Sequence, residues 1–164
     1  MRIIRLDKRY TRELYNLFYA LDHESEFMLF EEGERNITEK QVENILSSPE
    51  SEGVAIGAVV DGKLIGYLTC FRGQYKRIRH TAYNVIGIRS GFRGKGIGTK
   101  LFRELFIWAR ENEIVRLELT VICNNKAGVK LYKNMGFKIE GIKMKAFFKD
   151  GVYLDEYYMG KILN

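Results

Sequence analysis

The chain has 164 residues and a mass of 19.1 kDa, enough for a single domain, residues 1–164, with one real core. Its 46% hydrophobic and 29% charged composition excludes a disordered polymer; no apolar run is long enough for a membrane span, and Met1 to Asp7 lacks a signal-peptide core, so a cytoplasmic location is expected. The net charge of +6 permits an anionic ligand without naming one, and two cysteines, Cys70 and Cys123, make no disulfide framework and read as buried thiols.

In chain order, Ile3 to Leu6 reads as a first strand, and Leu14, Leu17, Phe18 and Leu21 form a helical stripe. Asp22 to Glu34 is acidic and aromatic without a period and is expected to be loop. Thr38 with Gln41 three residues on predicts a capping box opening a second helix through about Ser47. Gly53 to Val60, Asp61-Gly62 and Lys63 to Phe71 form a hairpin, since Asp-Gly between apolar runs favours a tight turn. Arg72 to His80 mixes cations with an aromatic, as some nucleic-acid surfaces do, but reads as a solvated loop between strands. Strand Arg79 to Ile88, helix Ile97 to Asn112, strand Arg116 to Ile122 and helix Lys126 to Met135 follow. Strands Phe137 to Phe148 and Val152 to Lys161, joined by Lys149-Asp150-Gly151, close the chain. There is no repeat, low-complexity tract or linker. The order predicts an α/β fold with a central mixed sheet around one βαβ crossover.

Between the fourth strand and third helix lies Arg93-Gly94-Lys95-Gly96-Ile97-Gly98-Thr99-Lys100. Glycines interleaved with cations at a helix start present free backbone N–H groups, which favour an anion. The register is wrong for a Walker A loop, because Gly91 is followed by Gly94-Lys95-Gly96. It is also wrong for a dinucleotide fingerprint, because Gly94, Gly96 and Gly98 alternate and no first βαβ unit precedes them.

The stretch resembles the acyl-coenzyme A loop of the GNAT superfamily of N-acetyltransferases, Arg/Gln-x-x-Gly-x-Gly/Ala, with Arg93, Gly96 and Gly98 on its pattern. A second stretch, Asn125 to Phe137, is similar to that family's Asn-x-x-Ala-x-x-Leu-Tyr-x-x-x-Gly-Phe block. Two motifs in the family's order, about thirty residues apart, are far more specific than either alone. The resemblance is strongest from Gly53 to Leu163. Ser90 stands where many members have proline, and Gly128 replaces alanine, weakening its helix by about 1 kcal/mol.

The resemblance implies a mostly antiparallel sheet of about seven strands with about four helices, splayed between the fourth and fifth strands. Residues 1–52 would form the acceptor side, 53–122 the central sheet and acetyl-CoA loop, and 123–164 the second motif and closing hairpin. It implies acetyl-CoA as cosubstrate, held by Ile86, Gly87, Ile88, Arg93, Gly94, Lys95, Gly96, Ile97, Gly98, Thr99, Asn125 and Tyr132. The pantetheine amides would pair with the exposed edge at Ile86 to Ile88, where Gly87 removes a side chain beside the ligand. Tyr132 falls on the tyrosine that many members use as general acid toward the coenzyme A thiolate. The plain alternative is that it packs on the inner face of its helix.

Glu118 shares a strand face with Thr120 and is the candidate base, through water, against the alternative of an ion-paired surface carboxylate. Glu24, Glu26, Glu31, Glu32 and Glu34 fall in the segment that lines the acceptor side in relatives, and Asp155 is a further candidate. An acidic pocket would suit a cationic amine. The expected partners are acetyl-CoA and a primary amine, on a small molecule or a protein N-terminus, with no nucleic acid, membrane or metal. A homodimer is carried from its frequency in the family. The competing reading is a non-catalytic acyl-CoA-binding module.

Overall fold

Two strands of the chain are apolar almost end to end, which requires a sheet covered on both faces. In the computed structural model, which describes residues 1–163, these are β2 (Gly53–Val60) and β3 (Lys63–Arg72), both central. With β1 (Arg2–Arg5), β4 (Thr81–Ile88), β5 (Arg116–Ile122), β6 (Lys138–Lys149) and β7 (Val152–Ile162) they form a seven-stranded sheet in the order β1-β2-β3-β4-β5-β7-β6. Every pairing is antiparallel except β4 with β5, which α3 (Ile97–Glu111) connects.

Helices cover opposite faces. On one, Leu101, Phe102, Leu105 and Trp108 of α3 pack against Ile56, Leu68, Cys70, Ala82, Leu117 and Leu119, with Tyr132 of α4 (Lys126–Asn134) in the same cluster. The Trp108 indole N–H donates to Glu50 O at 2.8 Å, which satisfies its polar edge. On the other face, Leu14, Leu17, Phe18 and Leu21 of α1 (Thr11–Glu24) and Val42 of α2 (Glu39–Leu46) pack against Ala55, Val59, Leu64 and Tyr67.

The local signals act as their chemistry requires. Thr38 and Gln41 form the reciprocal capping box. Asp61-Gly62 and Asp150-Gly151 both turn with positive φ, 49° and 75° in the first pair and 49° and 77° in the second. The loop from β3 to β4 contains a short 3₁₀ turn at Lys76–Ile78, and its cations are partly committed: Arg79 forms a two-pronged pair with Glu52.

Three expectations need correction. The segment expected as loop from Asp22 begins as helix, because α1 runs through Glu24 and buries Asp22 against Arg35. The fourth strand starts at Thr81, since the 3₁₀ turn occupies the preceding stretch. Cys70 is buried, whereas Cys123 is only half-buried, because it lies just beyond the end of β5.

Candidate active site

The glycine loop leaves β4 and enters α3 through two residues that an L side chain would strain. Gly94 has φ 72° and Gly96, the N-cap of α3, has φ 75°. A Cβ at either would meet nothing within 4 Å, so conformation rather than space selects glycine. No side chain caps α3, and its first bond runs from Lys100 N to Gly96 O. The amides of Ile97, Gly98 and Thr99 therefore remain available to an anion at the positive end of the helix. Arg93 folds back to donate to Ile88 O at 2.9 Å, and Lys95 donates to Gly91 O at 2.9 Å. Gly98 acts differently, through packing. A Cβ there would lie 2.6 Å from Leu131 Cδ2, so its absence seats α3 against α4.

Beside the loop the sheet opens. β4 pairs with β5 only through Thr81 with Arg116, Ala82 with Leu117 and Tyr83 with Glu118. From Asn84 onward β4 stays bonded to β3, through Gly66 with Ile88, but has no partner on its other edge among the described residues. Ile86, Gly87 and Ile88 thus offer a free strand edge leading to the glycine loop. The missing side chain of Gly87 is turned elsewhere: a Cβ would meet Leu21 Cδ1 at 2.7 Å and Tyr67 Cε1 at 2.9 Å in the α1-side core. That corrects the expectation that Gly87 clears room for the ligand.

Asn125 caps α4, its Oδ1 accepting from Gly128 N at 2.9 Å. A Cβ at 128 would come within 2.7 Å of Asn125 Nδ2, so glycine lets the cap sit close, whereas alanine would require the Asn125 amide to shift. Tyr132 is 9% exposed, with its ring edge-on to Phe102 at 5.9 Å. Burial pushes its phenol upward, with nearby Tyr83 and Tyr67 adding to the effect, so it stays neutral and able to donate. The side chain is thus packed into the core and keeps a neutral phenol.

The carboxylates are mostly engaged. Glu118 accepts from Arg116 Nε at 2.5 Å, and Arg116 also grips Glu140; the hydrogen bonds to Glu140 and then Glu118 hold its guanidinium well above its usual range. Glu118 lies on the same strand face as Thr120, whose hydroxyl is 2.9 Å from Tyr83 Oη across the opening. Glu24 accepts from Arg89 Nε at 2.5 Å and Ser90 N at 2.9 Å, tying the end of α1 to the start of the loop. Glu26 faces Lys149 at 3.5 Å, Glu32 faces His23 at 2.9 Å, and Glu34 accepts from Glu31 N at 2.8 Å. Asp155 accepts from Lys145 N at 2.7 Å, pinning a bulge in β6 whose Lys145 has φ 51°.

Two features escaped the sequence reading. Asp22 and Arg35 form a buried pair, 2.5 Å between Oδ2 and Nε, with the guanidinium also over the rings of Phe18 and Phe30. Asp22 sits four residues after Phe18 on the apolar stripe, which is the signal that could have found it. Asn84 is 2% exposed, the one polar residue in the inward alternation of Ala82, Asn84 and Ile86.

Residues 8–137, which include both motifs, match the Acetyltransferase (GNAT) family. The chain is 36% identical over 109 residues to the L-amino acid N-acetyltransferase AaaT of Escherichia coli, a match covering 64% of this chain and 65% of that protein. It is 33% identical over 115 residues to the N-alpha-acetyltransferase RimI of Mycobacterium tuberculosis, covering 70% and 68% respectively. The matched stretch thus spans about two thirds of each relative's length. The crystal structure of a GNAT-family acetyltransferase from Streptococcus pneumoniae superposes with a TM-score of 0.93 at 28% identity, over 99% of both chains. Loop and second motif both fall within the matched residues, and the chain belongs to the GNAT family of acetyltransferases.

Proposed function

We propose that the protein is an acetyl-CoA-dependent N-acetyltransferase that acylates the primary amine of an amino acid or of a protein N-terminus. The observation that carries this reading is the unbroken path from the free amides at the start of α3, along the unpaired edge of β4, into the opening toward β5. The names of AaaT and RimI support an α-amine as acceptor.

In this reading the amides of Gly94 to Thr99 hold the pyrophosphate of acetyl-CoA, and Arg93 and Lys95 swing from their carbonyl contacts to join them. The edge at Ile86 to Ile88 pairs with the pantetheine amides. Bound acetyl-CoA supplies an acyl thioester open to direct attack by a neutral amine. Tyr132 Oη donates a proton to the leaving thiolate, its neutrality secured by burial. The acceptor enters from the α1 side, past the Tyr83 and Thr120 hydroxyls. Glu118, on that same face and held by Arg116, takes the amine's proton through water. Asn125 keeps α4 and Tyr132 in position through its cap.

Thiol release from acetyl-CoA, measured across L-amino acids, polyamines, aminoglycosides and N-terminal peptides, tests the proposal. Turnover confined to α-amines is expected. Coenzyme A binding with no thiol release on any arm would instead identify a binding module.

A further inference from the structure

Among the described residues, Asn84 has the only buried side-chain polar atoms without a hydrogen-bond partner, and both Oδ1 and Nδ2 are orphaned. Turning the amide over does not help, because both ends are unpaired. Its register partner on β3, Cys70, is fully buried, and burial pushes that thiol up, so it stays neutral. The next position along β5, Leu119, is apolar. Such a group lowers stability unless something pairs with it.

Its place in the sheet points to what that is. Asn84 is the first residue beyond the last β4–β5 pair, Tyr83 with Glu118, and therefore stands at the closed end of the opening. The glycine loop lies at the other end, past Ile88. Four residues of strand, about 13 Å, separate them. A ligand anchored by its phosphates at α3 and laid along the free edge brings its far, reactive end to Asn84.

We infer that Asn84 binds the acyl end of the cosubstrate, donating Nδ2–H to the thioester carbonyl oxygen and accepting at Oδ1 from an ordered water. This rests on the acetyl-CoA reading above. A neutral carboxamide suits such a contact, since it meets the negative charge that develops on that oxygen without bringing a buried charge of its own. Its pairing with the protein is left open because the pairing is made with the substrate.

The test is calorimetric binding of acetyl-CoA and of coenzyme A, without acceptor, to wild type and Asn84→Leu. Wild type is expected to bind acetyl-CoA about tenfold more tightly than coenzyme A, the worth of one well-placed hydrogen bond. In Asn84→Leu that preference disappears, affinity for coenzyme A is unchanged, and the melting temperature is equal or higher, because an unpaired polar group has been removed. Asn84→Ala, which avoids any overpacking, is expected to lose the preference in the same way. Retention of the acetyl preference in a folded variant would overturn the inference and leave Asn84 with a buried water alone. If wild type binds neither ligand, the cosubstrate reading fails and the inference with it, an outcome separable from the first.

Discussion

Gly98 and Leu131 meet where α3 crosses α4: the methyl Cδ2 of Leu131 occupies the space that a Cβ on Gly98 would need, at 2.6 Å. The third glycine of the loop therefore serves the junction of two helices, one carrying the uncapped amides at its start and the other Tyr132. Gly98→Ala should destabilise the fold by about 1–3 kcal/mol through overpacking. Urea denaturation of Gly98→Ala, Leu131→Ala and the double variant checks this. The double variant should be more stable than the sum of the single losses, because the clash is gone.

Tyr132→Phe should lower kcat by about 10²-fold or more, the typical contribution of a positioned proton donor. Affinity for coenzyme A should be kept, since the ring still packs on Phe102 and Phe137. Steady-state kinetics across pH measure the effect, and unchanged turnover at every pH would remove the phenol from the mechanism.

Asp22→Ala would strand the Arg35 guanidinium, whose side chain is only 11% exposed, beside the Phe18 and Phe30 rings. Breaking a buried pair from one side costs about 3–5 kcal/mol. The double change Asp22→Leu with Arg35→Met should recover most of that loss, as read by denaturant midpoint.

Glu24 provides a pH signature. Burial pushes its carboxyl up, but the Ser90 N–H and the Arg89 guanidinium outweigh this and hold it below its ordinary 4.5. A depressed folded-state value means that the stabilisation is fully present above that ordinary value and is lost as pH falls through the folded one. Glu24→Gln should cost about 1 kcal/mol at pH 7. Wild type and variant should converge as pH falls through the depressed folded-state value. A stability difference that stays constant down to pH 2 would show that the pair carries no proton linkage.

The elements that were legible share a local cause. Gly53 to Val60 and Arg116 to Ile122 have the boundaries their apolar patterns predict, and Thr38 with Gln41 closes a box that needs only three residues. Gly94 and Gly96 were readable as turn glycines because φ constraints act on single residues. Glu118 was readable as a carboxylate facing the cleft or ion-paired at the surface, but its partner, Arg116, which Glu140 also grips from β6, was not. Gly87 and Gly98 looked like loop or ligand glycines, and what the sequence did not show is that their missing side chains make room for Leu21, Tyr67 and Leu131.

The sequence by itself determined the order of strands and helices, the conformation of the glycine loop and the family, all of which depend on spacing within a few residues. Only the tertiary structure decided which way each side chain turns and what meets it. It set β4 and β5 apart after Tyr83, committed Glu118 to Arg116 and Glu24 to Arg89, and left the Asn84 carboxamide without a partner. The reason is physical: local spacing sets backbone geometry, while hydrogen-bond partners and close contacts between distant elements exist only once the layers have packed.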